Sequence, residues 1–202
     1  PPKLAFGTDR SANFTCSEPG ARRIATQMSK HIASHLTDIS YWDRNWAGRI
    51  VTEPLDPRAA GLNGTQSRSL HRLFARLFER IGMAPDAAIV EAGCGGSAIL
   101  PYFKREFGLR AEGVDNSPVG LDLCNAIARK SGLETPVYLA DIFELPAHLR
   151  GRYDVVFSYG LAEHFTPTTL IVEALTRLAR PGGYVLTLIP NMRVALGIFQ
   201  KL

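Results

Sequence analysis

The chain has 202 residues, 46% hydrophobic and 21% charged, which is the profile of one globular domain with a modest extension. Its formal charge of +4 is spread over basic residues that look scattered, apart from pairs such as Arg22-Arg23 and Lys104-Arg105, so no nucleic-acid partner is expected; no apolar run reaches the roughly 20 residues needed to cross a bilayer, so no membrane partner is either. The three cysteines, Cys16, Cys94 and Cys124, lack metal-ligand spacing. With no apolar signal core in PPKLAFGTDR, they read as free thiols of a cytoplasmic chain, one that lacks an initiating Met and so reads as processed or incomplete.

Residues 1 to 19 read as irregular. Ile24, Met28, Ile32 and Leu36 recur every fourth position, which predicts a helix over 20 to 40. YWDRNW, residues 41 to 46, follows that helix and holds both tryptophans. VTEPLDPRAAGLNGT, 51 to 65, is dense in Pro and Gly and reads as a loop. Leu70, Leu73, Phe74, Leu77, Phe78 and Ile81 mark one face of a helix over 66 to 81, ended by Gly82. Residues 1 to 84 are therefore expected to form a helical N-terminal segment, a cover for the domain beyond it.

After Pro85 strands and helices alternate. Strands are expected at 87 to 92, 109 to 115, 135 to 141, 153 to 160 and 183 to 190. Helices are expected at 97 to 107, 118 to 132 and 166 to 180, the last closed by RPGG. That alternation predicts an α/β fold over 85 to 202: a doubly wound, mostly parallel sheet with right-handed crossovers.

The stretch IVEAGCGGSAIL, 89 to 100, joins the first strand to the first of these helices through Gly93, Gly95 and Gly96. Such a loop lets a ligand approach main chain at a helix N-terminus. Asp115 ends the second strand, where a carboxylate accepts the hydroxyls of a ribose. Asp141 ends the third, in LADIFELP, placed to take an adenine amine while Ile142 packs on the ring; the alternative for Asp141 is a helix N-cap. Gly93, Gly95 and Ala98 formally satisfy a dinucleotide fingerprint. Glu91 tilts against it, because a carboxylate there suits ammonium and sulfonium charges better than a pyrophosphate. No P-loop motif occurs.

The series E-x-G-x-G-G-S, VDNS, LADIFELP, YDVVFSYGLAEHF and LARPGGYVLTLIPN resembles the class I S-adenosylmethionine-dependent methyltransferases over about residues 85 to 191. The resemblance implies a Rossmann-like sheet in which this chain supplies strands in the order 3-2-1-4-5, one bound S-adenosylmethionine, and S-adenosylhomocysteine as product. It implies that Glu91, Gly93 and Gly95 form the methionine-end loop. Asp115 is then the ribose acid, Asn116 adjoins the adenine, Asp141 and Ile142 flank its edge, and Ser158 and Tyr159 face the amino-acid moiety. Two departures stand out. Ser97 replaces the usual third loop glycine, and the chain ends at Leu202, so the family's sixth and seventh strands are missing. The edge of the fifth strand would then invite a second chain, as in a homodimer.

Glu163 and His164, in AEHF just past the fourth strand, are the candidate general bases, with structural packing of His164 as the competing reading. Trp42, with Tyr41 and Trp46, reads either as an aromatic lid whose face attracts a sulfonium or as core packing. SYGL stands where nucleobase amino-methyltransferases carry their Pro-Pro tetrapeptide, and no cysteine follows a proline, so neither nucleobase chemistry is expected. The favoured activity is methyl transfer to the O, N or C atom of a small-molecule acceptor, with no metal. The alternatives are a nicotinamide-dependent oxidoreductase and a non-catalytic S-adenosylmethionine-binding scaffold.

Overall fold

Ile89, Val90, Ala92, Val156 and Phe157 have no solvent exposure, and strands so apolar on both faces require helices on both. The computed structural model describes residues 38–189, and there the strands are β1 (Ala88–Ala92), β2 (Arg110–Asp115), β3 (Val137–Leu139), β4 (Tyr153–Tyr159) and β5 (Ala179–Leu188). They form one sheet, parallel throughout, in the expected order β3-β2-β1-β4-β5. The order reverses between β1 and β4, so the loops leaving their carboxyl ends diverge and open a crevice.

The helices are α1 (Ile39–Ala47), α2 (Gly61–Arg80), α3 (Leu100–Phe107), α4 (Pro118–Lys130) and α5 (Thr168–Thr176). Phe74 and Phe78 of α2, Tyr102 and Phe103 of α3 and Leu121 of α4 pack on Ile89, Val155 and Phe157. On the opposite face Ile171 and Leu175 of α5 meet Val90, Val114 and Val156. The alternation of neighbours along β1 and β4 thus feeds two cores from one sheet.

Four expectations need correction. YWDRNW lies within α1 instead of following a helix: Asp38 caps it, accepting from the Tyr41 amide at 2.7 Å. The rest of the helix predicted over 20 to 40 falls outside the described residues. Second, α2 starts at Gly61, inside the presumed loop. Gly64 is there because a Cβ would overlap the Ala59 carbonyl, which also accepts from Arg68 at 2.9 Å. Third, RPGG does not close a helix. It forms an irregularity inside β5, between the Tyr153–Ala179 and Val155–Tyr184 pairs. Gly182 at φ 75° makes the bend, and Arg180 is tied to Asp154 at 2.7 Å. Fourth, the basic residues are not all scattered. Arg68, Arg72, Arg76 and Arg80 recur every fourth position and share the solvent-facing side of α2, where Arg72 bonds Ser69 of its own helix.

Among the described residues no helix is long and apolar enough to cross a membrane, and no cluster of three or more His, Cys, Asp or Glu is placed to hold a metal.

Candidate functional site

Gly93 leaves β1 at φ 74°, a conformation that favours glycine, and its missing side chain leaves room for Leu161, whose Cδ1 would lie 3.0 Å from a Cβ. The amides of this loop do not point at open space. Gly93 donates to the Val114 carbonyl at 2.8 Å and Cys94 to the same oxygen at 3.3 Å. Gly95 donates to Asp115 Oδ2 at 2.7 Å. Gly96 donates to the Gly120 carbonyl and Ser97 to the Cys94 carbonyl, both at 2.9 Å. Every amide from Gly93 to Ser97 is therefore engaged within the protein. This differs from the expectation that loop amides face a ligand, and it removes the donor set a pyrophosphate needs. The dinucleotide reading loses its physical basis here.

What the loop does present is carboxylates. Glu91, on β1, is 3% exposed. Ser97 Oγ donates to Glu91 Oε2 at 2.5 Å and accepts from the Ile99 amide at 3.0 Å. Ser97 thus stands in for the absent glycine with a function of its own: it bonds Glu91 while satisfying an amide at the entrance to α3. Burial pushes the Glu91 carboxyl up to about 8; the Ser97 bond opposes this, and the nearby charge of Asp115 adds to it. Asp115 Oδ1 accepts from the Ser117 amide at 2.8 Å. Burial raises its carboxyl too, against the opposing amides of Ser117 and Gly95. Two of its lone-pair positions are used, and a carboxylate offers about four.

The crevice encloses about 1060 Å³. Nine of the ten residues expected to hold a cofactor line it: Trp42, Glu91, Gly93, Gly95, Asp115, Asn116, Asp141, Ile142 and Tyr159. Asp141 caps no helix; its Oδ1 accepts from the Phe143 amide at 2.8 Å in a turn. Ser158 is the exception. It is fully buried, and its hydroxyl bonds Thr187 of β5 at 3.2 Å. Tyr159, by contrast, is 43% exposed and lines the crevice.

Glu163 and His164 sit on a short 3-10 turn, Ala162–His164, and neither lines the crevice. The His164 ring meets Trp42 edge-on, with centroids 4.9 Å apart. Residues 49 to 56 supply another wall: Leu55 is held by Ala98, whose carbonyl takes its amide at 2.9 Å, and by Arg105, which donates to its carbonyl at 2.7 Å. The roles of Trp46, Asp43 and Ser117 were not legible beforehand. Ser117 before Pro118 does carry the signature of a helix start, and its hydroxyl takes the Gly120 amide at 2.9 Å. Nothing local announces its second bond, donated to Asp43 of α1 at 2.6 Å.

A crevice at the carboxyl ends of parallel strands, lined by the buried Glu91 and the half-buried Asp115 beside a loop whose amides from Gly93 to Ser97 are engaged, marks a ligand-binding α/β domain. Residues 90–187 match the methyltransferase domain family. The ubiquinone biosynthesis O-methyltransferase of Cronobacter sakazakii is 30% identical over 122 residues, 58% of this chain and 50% of that protein. A probable chloroplastic tocopherol O-methyltransferase of Oryza sativa subsp. japonica is 31% identical over 152 residues, 72% of this chain and 42% of that one. A solved putative sarcosine dimethylglycine methyltransferase from Galdieria sulphuraria shares the fold at a TM-score of 0.54 and 17% identity, covering 71% of this chain and 56% of its own. Residues 90–187 thus form a methyltransferase domain, and the Rossmann-like sheet together with these relatives supports a class I S-adenosylmethionine-dependent methyltransferase with S-adenosylmethionine as cofactor. It spans about half the length of the curated relatives it matches.

Proposed function

We propose that this chain binds S-adenosylmethionine in the crevice and directs its methyl group to a small, largely apolar acceptor. The observation that carries this reading is Glu91. A carboxyl held near 8 by burial gains most from a ligand that brings a positive charge beside it, and the methionine end of the cofactor brings an ammonium and a sulfonium. Asp115 would hold the ribose hydroxyls on its remaining lone pairs, with Asn116, Asp141 and Ile142 around the adenine. Tyr159 and Trp42 would border the reacting end.

When bound, the cofactor supplies a methyl group on an already activated leaving group. The chain then has to align the acceptor, exclude water and let a proton leave. The crevice slightly exceeds the roughly 300–1,000 Å³ common for one small ligand, which supports room for an acceptor beside the cofactor. Its further wall includes Ile50, Val51, Pro54, Leu55 and Leu70, and this supports an apolar acceptor body. The ubiquinone and tocopherol O-methyltransferases among the relatives favour oxygen as the accepting atom. His164 is assigned to supporting Trp42 and not to taking the acceptor's proton, because its ring meets that indole and not the crevice.

Calorimetric titration with S-adenosylhomocysteine and, separately, NADH tests the reading. Binding of the first alone is expected; binding of NADH alone would reverse the assignment. A scaffold without turnover would bind S-adenosylhomocysteine yet transfer no labelled methyl to any member of a phenol and catechol panel.

A further inference from the structure

Gly95 and Gly96 read as ligand or turn glycines, but one side chain, that of Trp46, crowds both of them and Gly120 as well. A Cβ on Gly95 would lie 2.7 Å from Trp46 Nε1 and 2.8 Å from its Cε2. On Gly96 it would lie 3.0 Å from Trp46 Cζ3, and on Gly120 2.9 Å from Trp46 Cδ1. At Gly95 and Gly120 these are closer than real Cβ contacts come, and at Gly96 tighter than most, so the indole occupies a slot left open by residues that lack side chains. The slot runs between the loop after β1 and the first turn of α4. Outside it, the Arg49 guanidinium sits over the same ring, 4.6 Å from its centroid.

The indole does not act alone. Asp43, three residues earlier on α1, accepts from Ser117, which caps α4. One turn before Trp46, Trp42 stacks beside it at 6.1 Å between centroids and continues to His164. No residue of α1 is fully buried, so general core burial does not fix this helix. It is fixed by one wedge and one hydrogen bond.

We propose that Trp46 is a positioning residue of the cofactor site: seated against Gly95, Gly96 and Gly120, it locks the loop between Glu91 and Asp115 and thereby sets Trp42 over the crevice. The ligand half of this proposal rests on the S-adenosylmethionine reading; the seating of the indole does not.

The two halves are separable by experiment. The sequence has two tryptophans, so a Trp42→Phe background leaves Trp46 as the only indole. In that background, without ligand, Gly95→Ala should expel the ring and move its emission to longer wavelength. Unchanged emission would overturn the seating. Calorimetry with S-adenosylhomocysteine then reads the site in otherwise wild-type protein. Trp46→Ala should weaken binding at least about tenfold, and Trp46→Phe should restore most of it. Gly95→Ala should also weaken binding. Combined with Trp46→Ala it should do clearly less harm than it does alone, because the indole collision is gone and only the 3.1 Å approach to Asp115 Oδ2 remains. Wild-type affinity in Trp46→Ala, or penalties that multiply in the double variant, would overturn the positioning role. If wild-type protein fails to bind S-adenosylhomocysteine, the functional reading falls while the emission shift still decides whether the ring is seated.

Discussion

Replacing Glu91 by Gln should change how stability depends on pH. The Glu91 carboxyl sits at about 8 in the folded chain, against an ordinary value of 4.5. Because folding raises it, the folded state keeps a proton that the unfolded state gives up. Below about 4.5 both states hold the proton and the full contribution is present. Between 4.5 and 8 the unfolded state ionises first, so stability drains away as pH rises, and above 8 none remains. At about 1.4 kcal/mol per decade, that window amounts to roughly 5 kcal/mol, a large fraction of a domain's total stability. Gln keeps the shape and can still accept from Ser97, but has no proton to lose. Urea denaturation of both proteins without ligand, at intervals from pH 5 to 8.5, reads the difference. The variant's advantage over wild type should grow by several kcal/mol across the range. Parallel curves would refute the claim that an unpaired buried carboxyl dominates this end of the loop. The same substitution should weaken S-adenosylhomocysteine binding, because the ligand's ammonium loses its partner.

Asp115→Ala should cost about 1–3 kcal/mol of S-adenosylhomocysteine affinity by calorimetry, and an unchanged dissociation constant would remove it from the site. Ser117→Ala removes both a helix cap and the anchor of α1, so thermal melting should show a loss of about 1 kcal/mol or more. His164→Ala should reduce turnover less than tenfold, whereas a loss of 10²–10⁴ with unchanged cofactor affinity would make it the base after all. Phe74→Ala, deep among Phe78, Phe103 and Phe157, should destabilise by about 3–5 kcal/mol in denaturant titration without altering cofactor affinity in the folded fraction.

The sheet was readable because apolar runs of strand length alternate with helical periods; the strand order was implied by the family resemblance of the glycine loop and the motifs after it. Asp115 was readable from its distance to Gly95 along the sequence, since two adjacent parallel strands place their ends side by side. RPGG misled because Pro and Gly mark any interruption, and a kink inside an edge strand uses the same residues as a helix stop. The seat of Trp46 was out of reach. It depends on residues at 95, 96 and 120 meeting position 46, and no local pattern encodes a contact across such separations. The fate of the loop amides was equally hidden, because an amide's partner is decided by the fold around it.

Those engaged amides have a consequence for selectivity. Many abundant metabolites share the adenosine portion of S-adenosylmethionine and differ at the 5′ carbon, where they carry phosphates. At that end, on the proposed reading, this protein offers the buried Glu91 and a loop whose amides from Gly93 to Ser97 are already bonded. A phosphate arriving there would lose its hydration and gain none of those five amides in return. Nucleotides are, on that reading, disfavoured by what the loop withholds.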